Sequence, residues 1–370
     1  MNTEKLKLLF ALQEQPVAPA SLLAKQIGVT APTARAWLDS MMKEQVYVGV
    51  HANLRFRRIG LELDDFVLQV TSHEALEKIE QFCWNHPYTS YRARVFGGNT
   101  QGIMLQFRQP DAARPHLLEA FDVMKRDGLI SDVRELPTLN EEYGSSFTRP
   151  RIEAWNPEKM GWDFDWDKWW SACPKKIQSK PKTQPKLDGL VPLDELDVRI
   201  IQEISVNARR KNIEIIEALS MDKTEPGIQQ KVSSKLKRLS EEVVESYRVY
   251  INWTHFDVYN MPIIIADAEE DVTDRLIAYL STSKFPFASS IRKIKAGFIW
   301  SARLPSAHLS ELLSLVWRIT KRHEILIIDY KHSQVYGVWA EAFNSETRSW
   351  RKDREFCLVS PLKSIGLKVK

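Results

Sequence analysis

Residues 193–219 read LDELDVRIIQEISVNARRKNIEIIEAL, and they decide the fold. Leucine and isoleucine recur at three- and four-residue spacing as far as Ile204, which predicts a helix with one buried face. A break at residues 207–212 precedes a second short apolar-faced helix. In the next run, QQKVSSKLKRL, the spacing predicts that Val232, Leu236 and Leu239 face inward and that Lys231, Lys235, Lys237 and Arg238 face outward. Three short helices that end in a basic one predict a helix-turn-helix, which presents a recognition helix to a DNA major groove.

The same stretch resembles the opening of the leucine-responsive/AsnC (Lrp/AsnC) transcription regulators, without gaps. The matching residues are Leu193, Asp194, Glu195, Leu196, Asp197, Ile200, Ile201, Asn207, Ala208, Arg209, Asn212, Glu214 and Ile215. The resemblance implies a DNA-binding unit followed by a ligand-sensing, dimerising domain. It assigns residues 229–239 to the recognition helix. An additional SMDKTEPG segment at residues 220–227 makes the preceding turn longer than in the family.

Composition places the chain among ordinary globular proteins. It has 370 residues, a net charge of +4 and three cysteines without a CxxC pair. This cysteine usage is typical of a reducing compartment and disfavours a zinc ribbon. The N-terminal apolar run is too short and too charged for a signal peptide, and no stretch approaches the ~20 apolar residues of a membrane span. We therefore expect a cytoplasmic protein that does not contact membranes.

The N-terminal segment repeats the helix-turn-helix pattern. Leu6, Leu9 and Leu12 predict a first helix, and a second helix ends at Gly28, which suits a left-handed cap. The segment VTAPTARAWLDSMMKEQVY then corresponds to a recognition helix. The strand-prone runs VYVGV and NLRFRRIGL predict a small basic β wing. Residues 1–58 are locally basic, with eight Lys/Arg against four Asp/Glu.

Each helix-turn-helix is followed by the same order of elements, βαββαβ, which is typical of a ferredoxin-like sandwich. In the first half the predicted elements are Phe66–Val70, Glu74–Cys83, Ser90–Phe96, Ile103–Phe107, Ala113–Lys125 and Ile130–Glu135. In the second half they are Ile263–Ala266, Val272–Leu280, Ala288–Ile294, Phe298–Arg303, Ala307–Ile319 and Ile325–Tyr330. The sequence thus predicts an α+β protein formed by internal duplication.

Six segments follow from this organisation. They are a winged helix-turn-helix at 1–60, a sandwich at 61–145, a linking segment at 146–190, a second winged helix-turn-helix at 191–255, a second sandwich at 256–340 and a tail at 341–370. The linking segment holds five tryptophans within sixteen residues and then a Lys/Pro-rich stretch. Because indole rings rarely remain in water, we expect the tryptophans to pack on a domain surface. The Lys/Pro-rich stretch is typical of an extended linker.

Polar side chains on the predicted recognition helices and wing are candidates for contact with double-stranded DNA. Those on the helices suit base edges, whereas the wing arginines suit phosphates. The alternative is a solvated helix face that binds nothing. The candidates are Thr30, Thr33, Arg35, Ser40, Arg55, Arg57, Arg58, Lys231, Ser234, Lys235, Lys237 and Arg238. Glu241, Glu242 and Glu245 dilute the positive charge of the second set.

A small-molecule effector is a weaker expectation. Gly97, Gly98 and Asn99 lie between two predicted strands, where glycines let a ligand approach the backbone. An ordinary hairpin turn explains the glycines equally simply. The amino-acid sensors of the resembling family show Gly-x-x-Asp here, whereas this chain has Gln101 in the aspartate's place.

The sequence shows no catalytic, metal or cofactor motif. None of the eight histidines has a metal-ligand spacing, and Asp163, Asp165 and Asp167 lack the glycine and distal glutamate of a calcium loop. We therefore expect no cofactor, no metal ion and no enzymatic activity.

Three functions compete. The leading hypothesis is a sequence-specific DNA-binding regulator whose two halves form an internal pseudo-dimer, with a further homodimer open. The second is an enzyme similar to siroheme decarboxylases, which have this architecture; His86, Tyr91 and Arg92 lie near where their tetrapyrrole-pocket residues would be expected. The third is a protein–protein adaptor that docks through the tryptophan-rich segment.

Overall fold

The structure is a computed structural model of the chain. It describes residues 3–98, 100–136, 145–148, 151, 154–156, 159, 161–176, 189–256 and 258–369. Most of the predicted Lys/Pro-rich linker (177–188) and Asn99 therefore lie outside the described residues. Within the described ranges, no helix is long and apolar enough to cross a membrane.

The first half of the chain folds as a three-helix unit, a connecting strand and a βαββαβ unit. Its helices are α1 (Thr3–Glu14), α2 (Ala20–Ile27), α3 (Ala31–Lys43), α4 (His73–Asn85), α5 (Arg114–Arg126) and α6 (Trp166–Ser171). Its strands are β1 (Tyr47–Leu54), β2 (Glu62–Val70), β3 (Thr89–Gly97), β4 (Thr100–Gln109), β5 (Ile130–Leu136), β6 (Ser145–Thr148), β7 (Trp155–Asn156) and β8 (Gly161–Trp162).

The second half repeats this order. Its helices are α7 (Glu195–Asn207), α8 (Asn212–Ala218), α9 (Ile228–Glu242), α10 (Glu270–Thr282), α11 (Leu309–Ile319) and α12 (Ser360–Lys363). Its strands are β9 (Val244–Ile251), β10 (Pro262–Asp267), β11 (Ala288–Ile294), β12 (Gly297–Arg303), β13 (Arg322–Ile328), β14 (Gln334–Val335), β15 (Phe343–Asn344) and β16 (Ser349–Trp350). The predicted duplication of a helix-turn-helix and a ferredoxin-like sandwich is confirmed.

The two sandwiches join into one continuous sheet. Its strand order is β5-β2-β4-β3-β13-β10-β12-β11-β6, so each half contributes four antiparallel strands in the order 4-1-3-2. Strands β3 and β13 connect the halves through a short antiparallel pairing of Phe96 and Val95 with Ile327 and Ile328. The helices α4, α5, α10 and α11 cover one face of the sheet.

The helix-free faces of the two halves pack against each other. Val67, Val95 and Met104 of the first half form one apolar cluster with Ile299 and Leu326 of the second. Ion pairs join the halves beside this cluster: Arg134 with Glu324, and Arg292 with the buried Asp65 at 2.5 Å. The halves therefore form the internal pseudo-dimer that the duplication predicts.

The predicted β wing does not form. Among the described residues, strand β1 pairs only with β9 of the other half; the pairing is antiparallel, with Val50 opposite Val249 and Asn53 opposite Ser246. Residues 56–59 form a 3₁₀ turn instead of a second wing strand. The wing prediction is wrong because it assumed a hairpin, whereas the partner strand lies about two hundred residues further along the chain.

The Trp arm, residues 154–176, packs on the half that follows it. Trp166 lies 2% exposed against Phe285, Phe287 and Trp300, and its indole N–H donates to Nδ1 of the buried His308. The expectation that these tryptophans pack on a domain surface is confirmed. Because the arm is used inside the molecule, the adaptor hypothesis loses its proposed docking element.

The C-terminal tail, residues 340–369, makes the reciprocal contact. Leu358 and Leu362 enter the core of the first sandwich. The Trp350 indole donates to the carbonyl oxygen of Ile59 at 2.5 Å, and the Tyr88 hydroxyl donates to the Arg351 carbonyl. Each sandwich is thus covered by a segment from the other half of the chain: the Trp arm covers the second sandwich and the tail covers the first.

The arm's contribution to stability can be tested with a matched pair of tryptophans. We predict that Trp166→Ala costs about 3–5 kcal/mol, because it removes a fully buried ring and leaves a cavity. Trp317→Ala should change stability by less than about 0.5 kcal/mol, because Trp317 is 76% exposed. Urea denaturation followed by far-UV circular dichroism measures both. Equal effects of the two substitutions would contradict the packing described.

Candidate nucleic-acid interface

Helix α3 presents a short polar surface. Thr30 caps the helix by accepting the Thr33 backbone N–H, so its side chain has a structural role. Arg35 is exposed, and no described residue pairs with its guanidinium. Ser40 faces α1 instead: its hydroxyl donates to Glu44 and accepts from Lys5 at 2.9 Å. Of the predicted contacts on this helix, Arg35 has the freest side chain.

The three arginines of the predicted wing are tied to the protein itself. Arg55 donates to the carbonyl of Glu241 at 3.2 Å, across to the second helix-turn-helix. Arg57 pairs with Glu62 at 2.8 Å, and Arg58 donates to the Gly189 carbonyl at 3.1 Å. These side chains contact the protein itself, and the structure does not bring them together on a wing that could face phosphates.

The predicted DNA contacts on helix α9 fall into two groups. Lys231, Ser234 and Lys237 are exposed. Lys235 and Arg238 instead contact Asp197, which is 1% exposed, at 2.9 and 2.5 Å. The expectation that both face solvent is wrong, because the acidic start of α7 packs against this side of the helix.

Asp194 completes this cluster at the first turn of α7. It accepts from Lys235 at 2.7 Å and caps the helix by accepting the Asp197 backbone N–H. Burial opposes its ionisation, but the hydrogen bonds from Lys235 and from the Asp197 backbone prevail and lower the pKa of Asp194. The cluster therefore ties the start of α7 to the middle of α9.

The start of α9 carries residues that the sequence analysis missed. Gln229 and Gln230 lie exposed in the first turn, ahead of Lys231. The acidic Glu241 and Glu242 lie in the last turn, at the opposite end of the helix. A recognition helix reads bases with its N-terminal residues, and glutamine suits adenine edges. The sequence feature that could have identified them is Gly227 at the end of the long turn, because it places the start of the helix at Ile228, one residue before these glutamines.

The two helix-turn-helix units are fixed to each other beyond the strand pairing. The Arg209 guanidinium donates to the carbonyls of Pro16 at 2.9 Å and Ala18 at 2.7 Å, in the turn between α1 and α2. Burial lowers the pKa of Arg209. The Ala208 amide donates to the Val50 carbonyl at 2.6 Å. These hydrogen bonds connect the helical unit that contains α3 to the unit that contains α9 within a single chain.

The glycines proposed for an effector have a packing explanation. A Cβ atom on Gly97 would lie 2.1 Å from the carbonyl oxygen of Ile325, because β13 approaches here. Gly98 has a φ of +55°, in the left-handed region that suits a tight turn. Gly97 therefore serves the joint between the halves and Gly98 serves the turn, and the effector role remains a prediction.

The three residues assigned to the tetrapyrrole alternative do not converge. His86 lies 3% exposed against the rings of Phe82 and Phe107. Arg92, on the interior strand β3, pairs with Glu80 of α4 at 2.7 Å. Tyr91, by contrast, packs beside the apolar cluster between the helix-free faces of the two halves. In the described parts of the chain, no group of three or more His, Cys, Asp or Glu side chains is placed to hold a metal ion.

This architecture is similar to that of solved proteins. Siroheme decarboxylase NirDL matches 94% of this chain and 96% of its own, with a TM-score of 0.55 and 13% identity. The same enzyme in complex with an iron-uroporphyrin III analogue matches 91% of this chain and 95% of its own, also with a TM-score of 0.55 and 13% identity. This chain shares the NirDL fold.

A regulator is also similar over a shorter length. An AsnC family transcriptional regulator from Agrobacterium tumefaciens matches 38% of this chain and 91% of its own, with 22% identity and a TM-score of 0.33. No protein-family model and no curated protein matches the chain.

The expectation that the chain has no enzymatic activity is overturned by the NirDL comparison. The solved structures that match the chain over nearly its full length are those of an enzyme. The expectation rested on missing motifs in this chain, and a fold can host an enzyme as well as a binding protein.

Burial of His86 predicts a specific acid sensitivity. Removal from water lowers the pKa of His86 to about 3, against 6.5 in an unfolded chain. As pH falls below 6.5, His86 becomes protonated in the unfolded state but remains neutral in the folded state. The free energy of unfolding should therefore decrease by up to about 1.4 kcal/mol per pH unit. We predict that His86→Phe removes this pH-dependent loss of stability, because phenylalanine does not titrate. Phenylalanine is a suitable replacement because the second half has Phe285 in the matching Phe-Pro-Phe sequence.

Denaturant titrations between about pH 6.5 and pH 4.5 measure the difference. His255→Phe is the control, because that ring is exposed, and it should retain the wild-type dependence. An unchanged pH dependence in His86→Phe would contradict the assignment.

Proposed function

We propose that this protein is a sequence-specific DNA-binding regulator of Lrp/AsnC type, in which one chain supplies both recognition helices. The pairing of β1 with β9 is the observation that carries the proposal. Proteins that read DNA with helix-turn-helix units commonly hold two of them in a fixed relation, so that both meet the duplex. Here the covalent chain and Arg209 provide that fixed relation without a second molecule.

The two recognition helices have different surfaces. Helix α9 presents two glutamines, Lys231, Ser234 and Lys237, whereas α3 presents Arg35 beside the acidic Asp39. Glutamine and arginine favour different bases. The proposed site therefore has two unequal halves, with α9 supplying most of the phosphate attraction.

The α9 surface can be tested through the salt dependence of binding. We predict that Lys231→Ala/Lys237→Ala weakens binding to all sequences and lowers the slope of log affinity against log salt by about 2. Fluorescence anisotropy with a selected genomic fragment measures the slope. Lys363→Ala, an exposed lysine on the tail, is the matched control and should leave the slope unchanged. Equal slopes for all three proteins would contradict the assignment.

Base reading is tested separately by selecting binding sites from random DNA. Gln229→Ala and Arg35→Ala should each relax the preference at different positions of the site, by about 1–3 kcal/mol per base pair. If both variants select the wild-type sequence with the same stringency, these helices do not read bases.

We retain a second candidate, an enzyme that acts on a tetrapyrrole. It is supported by the fold shared with NirDL over nearly the full chain and by the iron-uroporphyrin III analogue bound to that enzyme. Titration with iron-uroporphyrin III tests it directly. Saturable binding with a shifted Soret band, followed by decarboxylation of siroheme, would support the enzyme. Absence of any shift, together with DNA selection as above, would favour the regulator.

A further inference from the structure

The exposed face of α3 differs from that of α9 at matching positions. The buried residues align the two helices, because each helix packs one side on its own helical unit. In this alignment Ala34, Leu38 and Met41 match Val232, Leu236 and Leu239. The exposed side chains that match are Arg35 with Ser233, Ala36 with Ser234 and Asp39 with Lys237. The two helices therefore offer different chemistry to a duplex from the same positions.

The first two turns of α3 expose mostly apolar atoms. Pro32 and Ala36 are exposed, and their side chains have no hydrogen-bonding group. Thr33 is half-buried, and its hydroxyl lies 2.8 Å from that of Thr30, the residue that caps the helix. The part of Thr33 left for other contacts is therefore its methyl group. Within residues 31–38, all of which the structure describes, Arg35 is the one exposed side chain with hydrogen-bond donors.

The matching turns of α9 expose hydrogen-bonding side chains instead. Each of them can donate to a base edge or to a phosphate. They are Gln229, Gln230, Lys231, Ser233 and Ser234. Further along the helix, α3 has the acidic Asp39 where α9 has Lys237, so Asp39 offsets the charge of Arg35. Sequence preference from α3 must therefore come from contacts that need few hydrogen bonds and little attraction to phosphates.

We propose that α3 recognises a thymine by its 5-methyl group, with Ala36 as the contacting residue, beside a guanine that Arg35 reads. Thymine presents a methyl group in the major groove, and alanine and threonine methyls pack against it. Arginine donates to O6 and N7 of guanine. The two bases adjoin because Arg35 and Ala36 are consecutive and both exposed. This inference rests on the proposed DNA-binding function and names the bases of one half of its site.

Replacement of thymine by deoxyuridine in the DNA tests the proposal without changing the protein. Deoxyuridine keeps the hydrogen-bonding edge of thymine and lacks only the 5-methyl group. In the site that the full chain selects, the relevant thymine lies beside the guanine whose preference Arg35→Ala relaxes. Its replacement should weaken binding about fourfold, the effect of losing burial of one methyl-sized group. Replacements in the half read by α9 should leave the affinity nearly unchanged, and fluorescence anisotropy measures both.

An exchange of serine and alanine between the matching positions shows whether Ala36 makes the contact. Ala36→Ser gives α3 the side chain that α9 has at Ser234, and its hydroxyl places a polar group where the thymine methyl would pack. The loss on deoxyuridine replacement should then nearly disappear. Ser234→Ala makes the opposite change on α9 and should keep the fourfold loss of the wild type at the same thymine. Both positions are exposed, so both variants should fold, which far-UV circular dichroism checks.

Two results would overturn the inference. One is the lack of a deoxyuridine-sensitive thymine beside that guanine, and the other is equal sensitivity in Ala36→Ser and the wild type. The deoxyuridine replacements use the unmodified chain, so they decide the matter even if Ala36→Ser fails to fold. Selective DNA binding without a methyl effect contradicts this inference alone. A chain that selects no sequence from random DNA contradicts the proposed regulator function as well, so the two failures are distinguishable.

Discussion

The antiparallel pairing of β1 with β9 is the constraint on which the rest of the structure depends. Each strand leaves one helix-turn-helix and leads into its own sandwich, so pairing them brings both helix-turn-helix units and both sandwiches together at once. The hydrogen bonds of Ala208 to Val50 and of Arg209 to the α1–α2 turn add further contacts between the helical units. Backbone groups that would form a wing in a single unit are satisfied instead by the other half.

Reciprocal exchange of the connecting segments strengthens the same arrangement. The Trp arm closes the second sandwich, and the C-terminal tail closes the first. The exchange leaves the halves unequal, however. His308 receives the Trp166 indole in the second half, whereas Ala113 precedes the corresponding helix in the first. The two halves therefore share one fold, but differences at matching positions, such as His308 and Ala113, give them different surroundings.

Local sequence was sufficient for the elements that depend on local periodicity. All twelve predicted elements of the sandwiches are present, and strand Ala288–Ile294 has the predicted bounds. Long-range partners were not predictable in this way. A helical pattern shows that Lys235 and Arg238 share a side with exposed residues, but it does not show that the buried Asp197 lies against that side. The same limit explains why β1 was assigned to a wing, since alternation of side chains identifies a strand and not its partner.

A designed cross-link between the paired strands tests the central claim most directly. Asn53 and Ser246 are opposite each other, and the Asn53 amide donates to the Ser246 hydroxyl at 3.0 Å. In Asn53→Cys/Ser246→Cys, mild oxidation should therefore give a disulfide within one chain. The intact non-reduced protein should then have the mass of a monomer, and mass spectrometry of its non-reduced peptides should show residue 53 linked to residue 246. If these cysteines remain reduced, or link only different chains, the two helix-turn-helix units do not pair within one molecule.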